Sequence, residues 1–193
     1  MMDYETSRVL NRDKIRDIAE LVRKMFNVRT IKFPVMKVLD KLEKKFSDNL
    51  YYCVEEDDYF EKGVMSELET EEYENHFCIR IRQSVYDKAL QGDGASIGFI
   101  CHEMCHFILI YVFGIGPRKY IGVDGISYAR CIESRIKPSY KSMEWQCMAL
   151  CGELMIPYDK CKNFSLDEII NKTNSSKRQA QYFISHIVEG DDE

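Results

Sequence analysis

Apolar positions along this chain recur first at helical spacing, then at strand spacing, then at helical spacing again. Ile15, Ile18, Leu21, Val22 and Met25 fall three and four apart within Asn11 to Phe26, which predicts an amphipathic helix with Asn11 as its N-cap. Pro34 is suited to open a second helix that carries Val35, Val38, Leu39 and Leu42 and ends near Phe46. The period then shortens to two. Asn49 to Glu55 reads as one strand and His76 to Arg82 as another, with Phe77, Ile79 and Ile81 alternating against Cys78, Arg80 and Arg82. A weaker strand is expected near Tyr59 to Met65, and the acidic stretches Glu55 to Asp58 and Glu67 to Glu74 read as solvated loops.

Gly92-Asp93-Gly94 breaks the chain before an apolar stretch, Ile97 to Phe113, that reads as a buried helix. Gly114, Gly116, Pro117, Gly122 and Gly125 mark a loop after it, long enough to carry function. A helix over Ser142 to Met155 stops at Pro157, and Leu166 to Lys172 and Ser175 to Val188 make two more before an acidic tail at Asp191 to Glu193. No repeat or composition break divides the sequence. The expected organisation is one α+β domain: N-terminal helices over 1–48, a small sheet over 49–91, a helical pair with its intervening loop over 95–157, and C-terminal helices with the acidic tail over 158–193.

Composition narrows the picture. With 193 residues, 45% of them hydrophobic, the chain can bury a substantial core without staples. It holds eight cysteines, but Met1-Met2-Asp3-Tyr4-Glu5 has neither the basic nor the apolar region of a signal peptide, so they are expected to be reduced in a cytoplasmic protein. No C-x-x-C pair occurs, and Cys147 and Cys151 are spaced for one helix face. The longest apolar run, Phe107 to Phe113, is far below membrane-spanning length, which argues against a membrane protein. A net charge of −5 gives no drive toward a polyanion, so direct nucleic-acid binding is not expected.

The candidate chemistry lies in His102-Glu103-Met104-Cys105-His106, an H-E-x-x-H signature inside the apolar helix. Two residues four apart are offset by only about 40° around a helix, so both imidazoles point into one space. Two neutral nitrogens suit Zn²⁺, which in catalytic sites takes a third protein ligand and keeps one position open for water. Glu103, about 100° around from His102, is placed beside that open position as a general base. Two of the chain's four histidines fall in this one motif, and a purely structural helix would bury Glu103 without a partner. Cys105, about 60° from His102, is within reach of a metal, though a buried free Cys usually packs as a small hydrophobe. A helical Glu downstream completes a two-His, one-Glu site in one group of zinc hydrolases. Glu144 is the candidate, with Glu133, Asp124 and Glu153 as rivals on spacing alone.

Taken together, His102 to His106 and the segment Glu144-Trp145-Gln146-Cys147-Met148-Ala149-Leu150-Cys151-Gly152-Glu153-Leu154-Met155-Ile156-Pro157 resemble the ImmA/IrrE family of metallopeptidases. The second motif of that family reads E-x-E-A-N/D-x-F-A-A-x-L-L-M-P, and the coarse order of elements also fits. The resemblance implies a zincin-like fold, with a small, mostly antiparallel sheet packed on the zinc-binding helix. It also implies Zn²⁺ held by His102, His106 and Glu144, with Glu103 as base. In such folds the strand before the zinc helix is commonly an edge that takes substrate by strand addition. Here that is His76 to Arg82, with Phe77, Ile79 and Ile81 as substrate-binding residues. Arg80 and Arg82 read as a solvated strand face, with recognition of an acidic substrate as the alternative. Tyr111, Tyr120, Tyr128 and Tyr140 are the candidates to stabilise an oxyanion.

The implied substrate is a regulatory protein, a helix-turn-helix repressor of a mobile or phage-like element, acting as a separate chain. Two departures stand out. Met148 occupies the place of an Asn or Asp that would orient His102, so that group is missing or comes from elsewhere. Cys147 and Cys151 replace small alanines, which changes packing. Two function classes follow: a zinc endopeptidase, and a pseudo-peptidase that binds and regulates a protein partner without hydrolysis.

Overall fold

The structure is a computed structural model that describes residues 2–71, 76–122, 125–128, 130–132 and 139–188. It is an α+β fold whose described residues form eight helices, a small mixed sheet of three strands and two short antiparallel ribbons. After the short strand β1 (Met2–Tyr4) comes α1 (Arg12–Met25), with Asn11 capping the Lys14 N–H at 3.0 Å. Helix α1 buries Ile15, Ile18 and Val22 of the stripe its spacing predicts, together with Ala19, while Leu21 and Met25 stay exposed at 51% and 40%. Helix α2 (Val35–Lys45) follows Pro34 and sends Val35, Val38, Leu39 and Leu42 into the same core. Each such side chain contributes about 1.5–3 kcal/mol by leaving water.

The sheet comprises β2 (Leu50–Glu55), β3 (Ser66–Glu71) and β4 (His76–Arg82) in the order β2-β4-β3. β4 runs parallel to β2 and antiparallel to β3, so the sheet is mixed rather than mostly antiparallel. The topology also moves β4 from the expected edge to the centre. Both its backbone edges are hydrogen-bonded, and Phe77, Ile79 and Ile81 are buried in the core at 7%, 0% and 0% exposure, so they cannot receive a substrate strand. The outer strands of the sheet are β2 and β3.

Two further expectations change here. Tyr59 to Met65 is not a strand: Asp57–Tyr59 makes a 3-10 turn, and the Arg82 guanidinium gathers the following loop by donating to the carbonyls of Val64 at 2.9 Å and Glu61 at 3.0 Å. The acidic stretch from Glu67 is strand as far as Glu71, and its remainder, Glu72 to Glu74, lies outside the described residues. Leu68 faces the core, while Glu69 on the outer face pairs with Arg80 at 2.8 Å. Arg80 also reaches Glu55 at 3.2 Å, so its charge is spent within the sheet instead of awaiting an acidic substrate.

Helix α3 (Gln83–Leu90) follows β4 directly and carries only Val85 and Ala89 to the core. Asp93 then caps α4 (Gly94–Phe107) by accepting from the Ser96 N–H at 2.8 Å. The helix continues as a π-helical turn over Ile108–Val112, where Tyr111 stacks on Phe107 and donates to Asn49 at 2.6 Å. Gly94–Val112 is long and apolar enough to cross a membrane, yet 61% of it is buried against the fold, with α2, α3, α5, β3 and β4 as neighbours. That is the position of a core helix.

The glycine-rich segment after α4 is not all loop. It contains β5 (Lys119–Gly122) and β6 (Gly125–Tyr128), paired as a hairpin, and then β7 (Arg130–Ile132), which pairs with β1. Helices α5 (Met143–Met155), α6 (Tyr158–Cys161), α7 (Leu166–Thr173) and α8 (Lys177–Phe183) complete the chain, with a π-helical turn over Ile184–Val188; the acidic tail lies outside the described residues.

Candidate metal centre

Helix α4 is apolar around most of its circumference. Ile97, Ile100, Cys101, Met104, Cys105 and Phe107 are buried, and the remaining stripe carries His102, Glu103 and His106, half-buried. Helix α5 packs against α4 and brings Glu144 to that stripe from its first turn, where Ser142 caps the helix by accepting from the Trp145 N–H at 2.9 Å. The N-terminal segment pins the approach to α5: the Thr6 N–H donates to the Lys141 carbonyl, and the Ser7 N–H to that of Gly116, each at 2.8 Å. Buried Gln146 ties the same region together, donating from Nε2 to the carbonyls of Arg8 and Tyr140, each at 3.0 Å.

The three side chains converge. His102 Nε2 lies 3.1 Å from His106 Nε2 and 3.1 Å from Glu144 Oε2, and His106 Nε2 lies 3.2 Å from Glu144 Oε1. A tetrahedral ion with bonds of about 2.0–2.1 Å separates its ligand atoms by roughly 3.3–3.4 Å. Each separation is within a few tenths of an ångström of that size, the two histidines facing different oxygens of Glu144, and this His-His-Glu group could hold a metal ion. The side chains remain 21%, 13% and 17% exposed, so solvent or a substrate reaches the open side.

Charge explains the rest of the geometry. Burial alone would lower the His102 pKa, but its hydrogen bond to Glu144 and the charges of Glu103 and Glu144 outweigh that and push it up to about 9. Burial would raise Glu144, yet hydrogen bonds from both histidines hold its carboxyl well below the usual range. A proton on His102 thus plays the part that a cation would play between these groups. Glu103 behaves differently: burial raises its pKa, opposed in part by His106 and His102 and by the backbone N–H of Leu68. The Ser66 hydroxyl donates to Glu103 Oε1 at 3.5 Å. The outer strand β3 therefore runs beside Glu103.

The other candidates separate from this centre. Glu153 accepts from the Tyr158 N–H at 2.7 Å beside Arg16, away from the triangle. Asp124 and Glu133 lie outside the described residues, as do the side chains of Tyr120 and Tyr128. Tyr111 is held by Asn49 within an aromatic cluster with Phe46, Phe77 and Phe107. Cys105 is fully buried and joins Cys101 and Cys151 in a layer of sulfur between α4 and α5, where burial and those neighbours push its thiol well above the ordinary range. All cysteines whose side chains are described are free thiols.

Met148 is 61% exposed, and the residue before it meets His106 rather than the His102 expected to need an orienting group. Cys147 Sγ sits 3.2 Å from His106 Nδ1, so this cysteine does more than alter packing. Its signal in the sequence was its place three residues after Glu144, on one helix face. The contacts of Ser66 and Leu68 with Glu103 had no such signal, because they depend on strand order. No protein-family model matches this chain, and no curated protein does.

Proposed function

We propose that this protein is a zinc-dependent endopeptidase that hydrolyses a peptide bond in a regulatory protein. The observation that carries the reading is the convergence of His102, His106 and Glu144 beside a buried carboxylate, Glu103, that is not part of the triangle. Two imidazoles and one carboxylate form a donor set suited to Zn²⁺ with an open position, and zinc bound there would supply Lewis acidity and lower the pKa of a water. Glu103 takes a proton from the attacking water and returns it to the leaving amine. Burial, which raises its pKa, makes it a stronger acceptor for that proton than an exposed carboxylate. β3 is an outer strand alongside Glu103, where an extended peptide could be held by main-chain hydrogen bonds.

The substrate class rests on the resemblance of the two motifs to the ImmA/IrrE family, which points to a helix-turn-helix repressor as a separate protein. Free thiols agree with a reducing, cytoplasmic setting. A second reading is favoured by the thiol that stands next to His106 where ligand histidines more often meet a carboxylate or carbonyl: the protein binds and regulates its partner without cutting it.

Glu103→Gln separates the two. An endopeptidase should lose about 10²–10⁴-fold in cleavage rate in that variant while keeping its metal and its fold. Cleavage that persists, or wild-type protein that carries metal and binds the partner but never cuts it, would sink the peptidase reading.

A further inference from the structure

A histidine that binds a metal through Nε2 carries its remaining proton on Nδ1, and the group that accepts this proton fixes both tautomer and ring orientation. His106 turns Nε2 toward His102 and Glu144 and Nδ1 toward Cys147 Sγ, at 3.2 Å. Cys147 is fully buried, so water has no access to replace it. It stands on α5 one turn after Glu144, so a single helix supplies both a candidate ligand and the contact that orients a ligand on α4.

We propose that Cys147 is a positioning residue of the metal centre: its sulfur accepts the Nδ1–H of His106 and so holds the Nε2 lone pair toward the ion. The inference rests on the metal-centre reading above. Sulfur is a weaker acceptor than the carboxylate or carbonyl usual in this role, yet inside a buried pocket its loss leaves the Nδ1–H unpaired or lets the ring change tautomer.

The test uses the full chain with zinc as the probe. Zinc affinity is measured by competition with a chromophoric chelator, and the exchange protection of the His106 Nδ1–H by ¹H–¹⁵N NMR of the zinc-loaded protein, for wild type, Cys147→Ala and Cys147→Ser. The expected result is a loss of about 10- to 100-fold in affinity for Cys147→Ala, with an Nδ1–H protected from solvent exchange in wild type and a faster-exchanging one in that variant. Cys147→Ser, whose hydroxyl still accepts a hydrogen bond, should recover most of the affinity and the protection. Equal losses in both variants with an unchanged Nδ1–H signal would reduce Cys147 to packing and overturn the inference. Unchanged affinity in Cys147→Ala would do the same while leaving the metal centre standing. Wild-type protein that takes up no zinc would instead remove the metal-centre reading, and the inference with it.

Discussion

His102 carries opposite consequences for the metal-free and metal-loaded protein. Its pKa rises from 6.5 to about 9 in the metal-free fold, so its pairing with Glu144 stabilises fully below about pH 6.5, and that contribution is lost as the pH climbs through about 9. Metal uptake runs the other way, because a ligand imidazole must be neutral. Thermal unfolding of chelated protein should weaken between pH 6.5 and 9 while zinc affinity strengthens over the same interval; a metal-free Tm that rises with pH across it would contradict the pairing. At this scale the sequence was informative wherever chemistry follows helical spacing. His102, Glu103 and His106 fall on one stripe of an otherwise largely apolar helix, and Glu144 lies in the first turn of its own. Cys147 was harder to recognise, since its partner lies on another helix and no periodicity encodes a contact between elements.

Among the elements, α4 depends on what leans against its start. A Cβ at Gly94 would lie 2.5 Å from the Asn174 carbonyl oxygen and 2.8 Å from the Ser176 nitrogen, both backbone atoms that cannot swing aside. Asn174 itself adopts a left-handed conformation to end α7, and its side chain donates to the Gly92 carbonyl at 2.9 Å. Gly94→Ala should therefore destabilise by about 1–3 kcal/mol, whereas Gly152→Ala on α5, with open space around it, should gain up to about 1 kcal/mol from helix propensity. Denaturant unfolding of the two variants checks this, and equal effects would refute it. Amphipathic elements such as α1, α2 and α7 were legible, with Asn11 capping α1 and Pro34 preceding α2 as the sequence puts them. Helix α3 was not, because two buried residues in eight give too little periodicity to notice. β3 was hidden by its charge: Glu67 and Glu69 face solvent and the Arg80 network, and only Leu68 marks the inner face.

For the molecule as a whole, strand order was beyond the reach of local pattern. A seven-residue alternation such as β4 has the same appearance at an edge or in the middle, and only the parallel pairing with β2 and the antiparallel pairing with β3 decide it. That order puts an outer strand, β3, beside Glu103 and the expected substrate-binding residues Phe77, Ile79 and Ile81 in the core. If the centre binds zinc only in the folded state, a hundredfold excess over Kd adds about 2.7 kcal/mol, a rise of roughly 5–10 °C in Tm for a chain of this size. Calorimetry with zinc and then with chelator checks it, and a Tm indifferent to both would count against a folded-state site. The sulfur layer between α4 and α5 sets a further condition on any such scan. Cys101, Cys105, Cys147 and Cys151 are shielded only while those helices stay together. Once heated apart in air, these thiols can be oxidised into mispaired bridges faster than the chain refolds. A second scan should reproduce the first only in the presence of a reductant, and for this protein the record of past oxygen exposure becomes part of what a melting curve reports.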